Sequence, residues 1–204
     1  MKLLDCYLPV FKLAARFAHE PEIFADYDTF RALCITRLEE SMQEACRHDI
    51  SESEREHAFF AVVVWLDETL LCSAQPLVQH WRSDLLQRKY FRTSIGGELF
   101  FSRLSDLKEE EQAARQVFLF CLHNGFCGKY GGEQDRQTLN ALIEQQLRLC
   151  LPPAWQTWPN DAPLTPVNVG ERLMTSSGYN VVFAIPGLVL FYAALVLLLT
   201  LYFS

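Results

Sequence analysis

Residues 181–203 form a continuous uncharged run, VVFAIPGLVLFYAALVLLLTLYF. Each helical residue adds about 1.5 Å, so a helix over this run would be about 34 Å long, against about 30 Å for the hydrocarbon core of a bilayer. Aromatic residues near both ends suit the membrane interface. A buried helix of a soluble fold is rarely so long and so uniformly apolar. We therefore predict a transmembrane helix that anchors the chain by its C-terminal end.

Residues 151–180 are predicted to be a linker. Five prolines fall within the sixteen positions LPPAWQTWPNDAPLTP at its start, and proline interrupts helices. Trp155 and Trp158 either dock on the preceding domain or lie at the lipid interface, and the sequence favours neither. Arg148 and Arg172 precede the apolar run and no basic residue follows it. This asymmetry favours a single-pass membrane protein whose N-terminal domain lies in the cytoplasm.

Residues 1–150 have apolar residues at helical spacing and no alternating strand pattern or repeat. The segment 58–66, AFFAVVVWL, is apolar on every side and predicts a buried central helix. Ser51 and Glu54 fit a capping box at its start. The sequence therefore predicts an all-α domain of about seven helices, over residues 3–18, 26–47, 52–72, 77–92, 97–107, 108–124 and 134–149.

Composition excludes several classes of function. The net charge is −7 and no Lys/Arg-rich block is present, so the electrostatic footprint of a nucleic-acid-binding protein is missing. The seven cysteines are scattered without a CxxC pair, which is typical of buried reduced thiols in the cytoplasm. No metal or cofactor is predicted.

The stretch CLHNGFCGKYGG, residues 121–132, interrupts the helical pattern. A phosphate loop is disfavoured because Gly125 and Gly128 are only three residues apart, and a tyrosine replaces the hydroxyl residue of that motif. A structural zinc site would need a fourth ligand beside its three candidates, Cys121, His123 and Cys127. A junction between helices fits better, because glycine adopts backbone conformations denied to other residues.

Asp67 and Glu68 directly follow the apolar centre of the central helix. Adjacent helical residues point about 100° apart, so one carboxylate can hold an internal partner while the other faces a cleft. Structural pairing and partner recognition both remain open. A membrane-tethered hydrolase would need two carboxyl groups opposed across a pocket, and no nucleophile–base pair is evident. Glu98 either favours its own helix start or bonds a basic neighbour.

Three segments, taken in order and spacing, resemble the DotU/IcmH family of secretion proteins: WLDETLL (65–71), GGELFF (96–101) and CLHNGFCGKY (121–130). The resemblance covers about residues 5–150, and the C-terminal span matches the family's plan. GFCGKY is similar to the family's G-F-x-G-K-Y junction.

The resemblance implies a non-enzymatic, tail-anchored scaffold of a type VI secretion membrane complex in the bacterial inner membrane, with a type IVB secretion protein as the alternative branch. It implies a cytoplasmic hook of two small three-helix bundles with a cleft between them. The implied partners are a TssM-like membrane protein, TssK-like and TssE-like baseplate proteins, and a second copy of the chain, which associates partly through the membrane helix.

The family's acidic pair falls on Asp67 and Glu68, and we add two hypotheses about the roles of these and neighbouring residues. Asp67 and Glu68 would line a cleft that a basic element of a partner enters. Lys129 would neutralise Glu68 or Glu98. The sequence departs from the family at Arg92, where a histidine is common, and at residues 131–132, where glycines replace a basic residue. The family motif falls on Gly96, Gly97, Glu98, Gly125, Phe126, Gly128, Lys129 and Tyr130.

Overall fold

The computed structural model of the chain describes residues 2–24 and 26–150. Within these ranges the secondary structure is entirely helical, as predicted. The α-helices are α1 (Leu3–His19), α2 (Tyr27–Ala45), α3 (Glu52–Leu71), α4 (Val78–Ser83), α5 (Leu86–Phe91), α6 (Gly96–Asp106), α7 (Gln112–His123) and α8 (Arg136–Cys150). Short 3-10 turns occur at Pro21–Phe24, Gly128–Tyr130 and Glu133–Asp135.

Helix α3 is the central element, as its apolar sequence predicts. Every residue from 58 to 67 is buried, and α3 contacts the six helices α1, α2, α4, α5, α6 and α7. Phe11 of α1 packs with its ring centroid 4.4 Å from Trp65 of α3 and 4.6 Å from Phe120 of α7. Each such side chain contributes about 1.5–3 kcal/mol when fully buried. Three helices therefore meet in one aromatic cluster.

The start of α3 confirms the Ser51 cap, although Glu54 bonds the Ser51 hydroxyl and not the Ser51 amide that a capping box uses. The Glu54 amide donates to the Ser51 hydroxyl oxygen at 3.2 Å, and this hydroxyl donates to the Glu54 carboxylate at 3.1 Å. The other Glu54 oxygen accepts from the Ala113 amide at 3.0 Å, in the first turn of α7. Ser51 therefore caps the start of α3, and Glu54 of α3 accepts a free amide at the start of α7.

The single helix predicted over residues 77–92 is wrong. The chain forms α4 and α5 instead, and they are separated at Asp84 and Leu85. The first free amides of α5, those of Leu86 and Gln87, donate to the buried Asp67 carboxylate at 3.0 and 2.8 Å. A distant side chain thus caps a new helix where the local apolar spacing predicts continuation.

The predicted helix start at residue 108 is also wrong, because α7 begins at Gln112. The Glu111 carboxylate accepts from the Lys108 amide at 2.8 Å and from the Ser53 hydroxyl at 2.6 Å. These two hydrogen bonds close a turn ahead of the helix, and they lower the pKa of Glu111. The acidic cluster therefore ends a loop rather than opening a helix.

The prediction of reduced cysteines is confirmed for the part of the chain that the structure describes. All seven cysteines are free, although Cys46 and Cys72 are exposed rather than buried. Burial raises the pKa of Cys34 to about 12.

No helix within the described ranges is both long and apolar enough to cross a bilayer. The predicted linker (151–180) and transmembrane span (181–203) lie outside the described residues.

Candidate functional site

Asp67 has an internal role. Its side chain is fully buried, and Oδ1 accepts from Trp81 Nε1 at 2.8 Å and from the Leu86 amide at 3.0 Å. Oδ2 accepts from the Gln87 amide at 2.8 Å. Burial raises the pKa of Asp67, while these N–H donors oppose the rise. The prediction that Asp67 lines a partner-binding cleft is corrected by this burial, since the carboxylate instead fastens α4 and α5 to α3.

Gln87 continues this connection to α6. Its Oε1 atom accepts from the Gly96 amide at 2.8 Å, at the start of α6. A Cβ added at Gly96 would lie 2.8 Å from Cγ2 of Val64 and would collide with the Gln87 side chain. The first glycine of the GGELFF motif is therefore required by close packing against α3 and α5.

Glu68, the second carboxylate of the pair, holds the glycine-rich turn. Its Oε1 accepts from the Cys127 amide at 2.7 Å, and both of its carboxylate oxygens accept from the Gly128 amide, at 3.1 and 3.0 Å. Gly125 and Gly128 have φ angles of 88° and 51°, in the left-handed region that favours glycine. The turn aims its amides at an anion, and that anion is the chain's own glutamate.

The same turn contacts α6 directly. A Cβ added at Gly128 would lie 2.7 Å from the Gly97 carbonyl oxygen and 2.9 Å from Cε2 of Phe101. Phe126 is buried, with its ring centroid 4.1 Å from that of Phe100. The helix junction predicted from the glycines is confirmed. We call the site formed by the Asp67–Glu68 pair, the start of α6 and the turn at residues 125–130 the three-motif junction.

Lys129 and Glu98 lie exposed at the edge of this junction. Lys129 Nζ lies 5.1 Å from the ring centroid of Tyr130 and 5.7 Å from that of Phe101. In the part of the chain that the structure describes, Lys129 forms no ion pair with Glu68 or Glu98. The predicted neutralisation is wrong because backbone amides already occupy the Glu68 carboxylate. Glu98 lies in the first turn of α6, which agrees with a favourable interaction with that helix start.

Two residues of the junction were missed by sequence reasoning. Trp81 donates its indole N–H to Asp67, and Gln87 bridges α5 and α6. Trp81 stands between the first two motifs, but its bonding partner cannot be read from spacing. Gln87 resembles any surface residue of an amphipathic segment, so no local signal identifies it.

The chemistry available to the junction is structural. Each carboxylate accepts several hydrogen bonds from N–H donors of the protein itself, and the two are not opposed across a pocket. Neither is placed to exchange a proton with a substrate. Among the residues that the structure describes, no three His, Cys, Asp or Glu side chains cluster in a way that could hold a metal ion.

Comparison with known proteins provides an independent line of evidence. The model of a family described as type VI secretion system protein DotU matches residues 2–204. No curated protein sequence matches the chain.

Solved structures of similar fold cover most of the N-terminal region. The cytoplasmic domain of TssL from Acinetobacter baumannii is 26% identical, with a TM-score of 0.63, over 74% of this chain and 97% of that one. TssL from Vibrio cholerae is 20% identical, with a TM-score of 0.62, over 72% and 94% of the two chains. SciP/TssL from enteroaggregative Escherichia coli is 21% identical, with a TM-score of 0.55, over 82% and 95%. These relatives are structural secretion-system components and not enzymes, which confirms the non-enzymatic interpretation.

Proposed function

Because the chain belongs to the DotU family of type VI secretion system proteins, we propose that it is a scaffold of the secretion membrane complex that holds its helical domain at the inner membrane and links it to cytoplasmic baseplate components. The three-motif junction carries this proposal. It uses the most distinctive residues of the chain to fix helices to one another and leaves none of them positioned for catalysis.

The proposed anchor is the uncharged run at residues 181–203, joined by the linker at 151–180 to the domain at 1–150. An anchored domain is confined to the membrane surface. Confinement raises its effective concentration for assembly with other membrane-bound subunits, including a TssM-like protein and further copies of the chain. The length and apolar character of the run support this part of the proposal.

The proposed contact with cytoplasmic partners lies at the exposed edge of the junction. A hook of two small bundles would place a cleft beside the partly exposed Glu68. Asp67 would act from inside, by holding α4 and α5 in position. Glu98 and Lys129 are exposed there and have opposite charges, so a TssK-like or TssE-like partner of complementary charge would dock selectively.

Affinity purification of the full chain from detergent-solubilised membranes tests this function. We expect secretion-system subunits to co-purify. The pair of substitutions Glu98→Gln with Lys129→Gln should reduce the recovery of baseplate subunits about tenfold while the membrane partner is retained, since only a charged docking edge is removed. The matched control is Lys108→Gln with Glu110→Gln, which neutralises one exposed charge of each sign elsewhere.

Two outcomes would count against the proposal. Absence of any secretion subunit from the purified material would contradict the scaffold function itself. Equal recovery of baseplate subunits with the junction variant and the control would contradict the docking edge alone. Subunits of a type IVB apparatus in place of type VI subunits would assign the chain to the alternative branch.

A further inference from the structure

Helices α1 and α2 lie side by side in antiparallel directions, and the seam between them is a surface groove in two halves that meet at Pro9. The half near the start of α1 has a volume of about 230 Å³ and contains three carboxylates. The half near the end of α1 has a volume of about 440 Å³ and contains three cations. The acidic half is lined by Asp5, Cys6, Pro9, Glu40, Ser41 and Glu44, and the basic half by Lys12, Arg16 and Arg37 with the apolar Leu13, Phe24 and Leu33.

The separation of charge along this seam is complete in both linings. No cation lines the acidic half and no carboxylate lines the basic half. Eleven helical positions separate Asp5 from Arg16, which places the two ends about 17 Å apart. The seam is therefore a bipolar surface on a chain whose net charge is −7.

The charges of the seam have local partners that are easily exchanged. Arg37 bonds Glu40 at 2.8 Å, across the point where the two halves meet. The outer charges pair away from the seam, Arg16 with Glu20 at 3.1 Å and Glu44 with Arg47 and His48 at 2.6 and 3.4 Å. Exposed pairs of this kind contribute at most about 1 kcal/mol, so a better-placed partner can displace them.

The acidic half also contains one polar group without an internal partner. Ser41 is 3% exposed, and its hydroxyl has no hydrogen-bond partner within residues 2–24 and 26–150. Buried polar groups are usually hydrogen-bonded, so this hydroxyl indicates that the lining of the acidic half is not complete by itself.

We propose that the α1–α2 seam is the site where a second copy of this chain binds, in a two-fold arrangement centred near Pro9. A 180° rotation about an axis that passes near Pro9 and lies across the seam places the acidic half of one copy on the basic half of the other. The same contact therefore forms twice, once at each end of the interface. A surface with opposite charges at its two ends is complementary to itself in this arrangement. Lys12, Arg16 and Arg37 of one copy then face the carboxylates of the other, in exchange for their weak local pairs. The inference rests on the self-association included in the proposed function and names its surface.

A photo-crosslinking amino acid at Leu33, a partly buried residue that lines the basic half, tests the contact in the full chain within membranes. We expect an adduct of twice the chain's mass, and none from the same group at Gln112, which lines a groove on α7. An adduct with a different protein at Leu33 would overturn the proposal and assign the seam to that partner.

Charge reversal then tests the pairing. One variant carries Lys12→Glu with Arg37→Glu, and the other carries Glu40→Lys with Glu44→Lys. Each variant alone should lose the adduct at least about tenfold, because like charges then meet at both ends of the interface. Co-expression of the two should restore an adduct between them, because each pair of ends is again opposite in sign.

Two control variants carry the same numbers of charge reversals outside the seam: Lys108→Glu with Arg148→Glu, and Glu109→Lys with Glu110→Lys. They control for a general attraction between a chain made more acidic and a chain made more basic. These pairs should leave the adduct unchanged. Loss of the adduct without rescue in the mixed sample, or no loss at all, would overturn the two-fold seam. The co-purification of secretion subunits is measured on the same samples. If it persists while the charge swap fails, the surface is wrong and the proposed function stands.

Discussion

The three-motif junction and the α1–α2 seam both depend on carboxylates, and they use them in opposite ways. In the junction, Asp67 and Glu68 accept hydrogen bonds chiefly from backbone amides, which the fold holds in place. In the seam, Glu40 and Glu44 pair with long exposed arginines that can move. A carboxylate bound to fixed amides secures the fold, whereas one bound to flexible cations remains available to a partner. The donors, rather than the acid, decide the role.

The largest effect on stability is expected for Asp67→Ala, in the junction. Removal of the buried acceptor leaves the Trp81, Leu86 and Gln87 donors unsatisfied, so we expect a loss of about 3–5 kcal/mol in the free energy of unfolding. Urea unfolding of the full chain in detergent, followed by circular dichroism, measures the loss. Glu98→Ala is the exposed control and should change the free energy by less than about 0.5 kcal/mol. A loss below about 1 kcal/mol for Asp67→Ala would show that this carboxylate does not secure α4 and α5.

A second test separates backbone strain from close packing in the turn. Gly128→Ala should cost about 2–4 kcal/mol, because the new Cβ adds a collision with the Gly97 carbonyl to a left-handed φ. Gly125→Ala has the same kind of φ but open space around it, so it should cost only about 1 kcal/mol. The same urea titration compares the two. Equal losses would mean that the contact between the turn and α6 adds nothing to stability.

The smallest effect is expected in the seam. Ser41→Ala removes a buried hydroxyl that has no described partner, so the free energy of unfolding should change by no more than about 0.5 kcal/mol or rise slightly. The measurement is the same, with Ser53→Ala as the contrasting case, because the Ser53 hydroxyl bonds Glu111. A loss above about 1.5 kcal/mol in the free energy of unfolding for Ser41→Ala would show that its hydroxyl is already hydrogen-bonded within the chain and needs no partner.

Much of the fold could be predicted from local pattern. The apolar centre of α3, its Ser51 cap and the glycine breaks all depend on residues close in sequence. The split between α4 and α5 could not be predicted, because Asp67, the residue that causes it, lies about twenty positions away. The helix predicted over residues 3–18 is confirmed as α1 although it contains Pro9, and packing against α2 and α3 outweighs the missing hydrogen bond.

The candidate site could be predicted as a set of residues but not as a set of roles. The glycines and the Asp67–Glu68 pair stand out in the sequence because their residue types are unusual in those positions. Which groups bond them depends on contacts across about 60 residues, such as Glu68 to the amides of Cys127 and Gly128. The hypothesis of a cleft shared by both carboxylates fails because Asp67 is buried, whereas Glu68 is partly exposed, as the angle of about 100° between adjacent helical residues allows.

The bond from Ala113 to Glu54 has a consequence for how the chain folds. The first turn of α3 is capped by Ser51, a neighbour in sequence, so it can form early and alone. The first turn of α7 instead takes its acceptor from Glu54 of α3, 59 residues earlier in the chain. The start of α7 is therefore completed only when it packs against α3, and a ribosome that has released only α3 has made the acceptor but not yet the helix start that needs it.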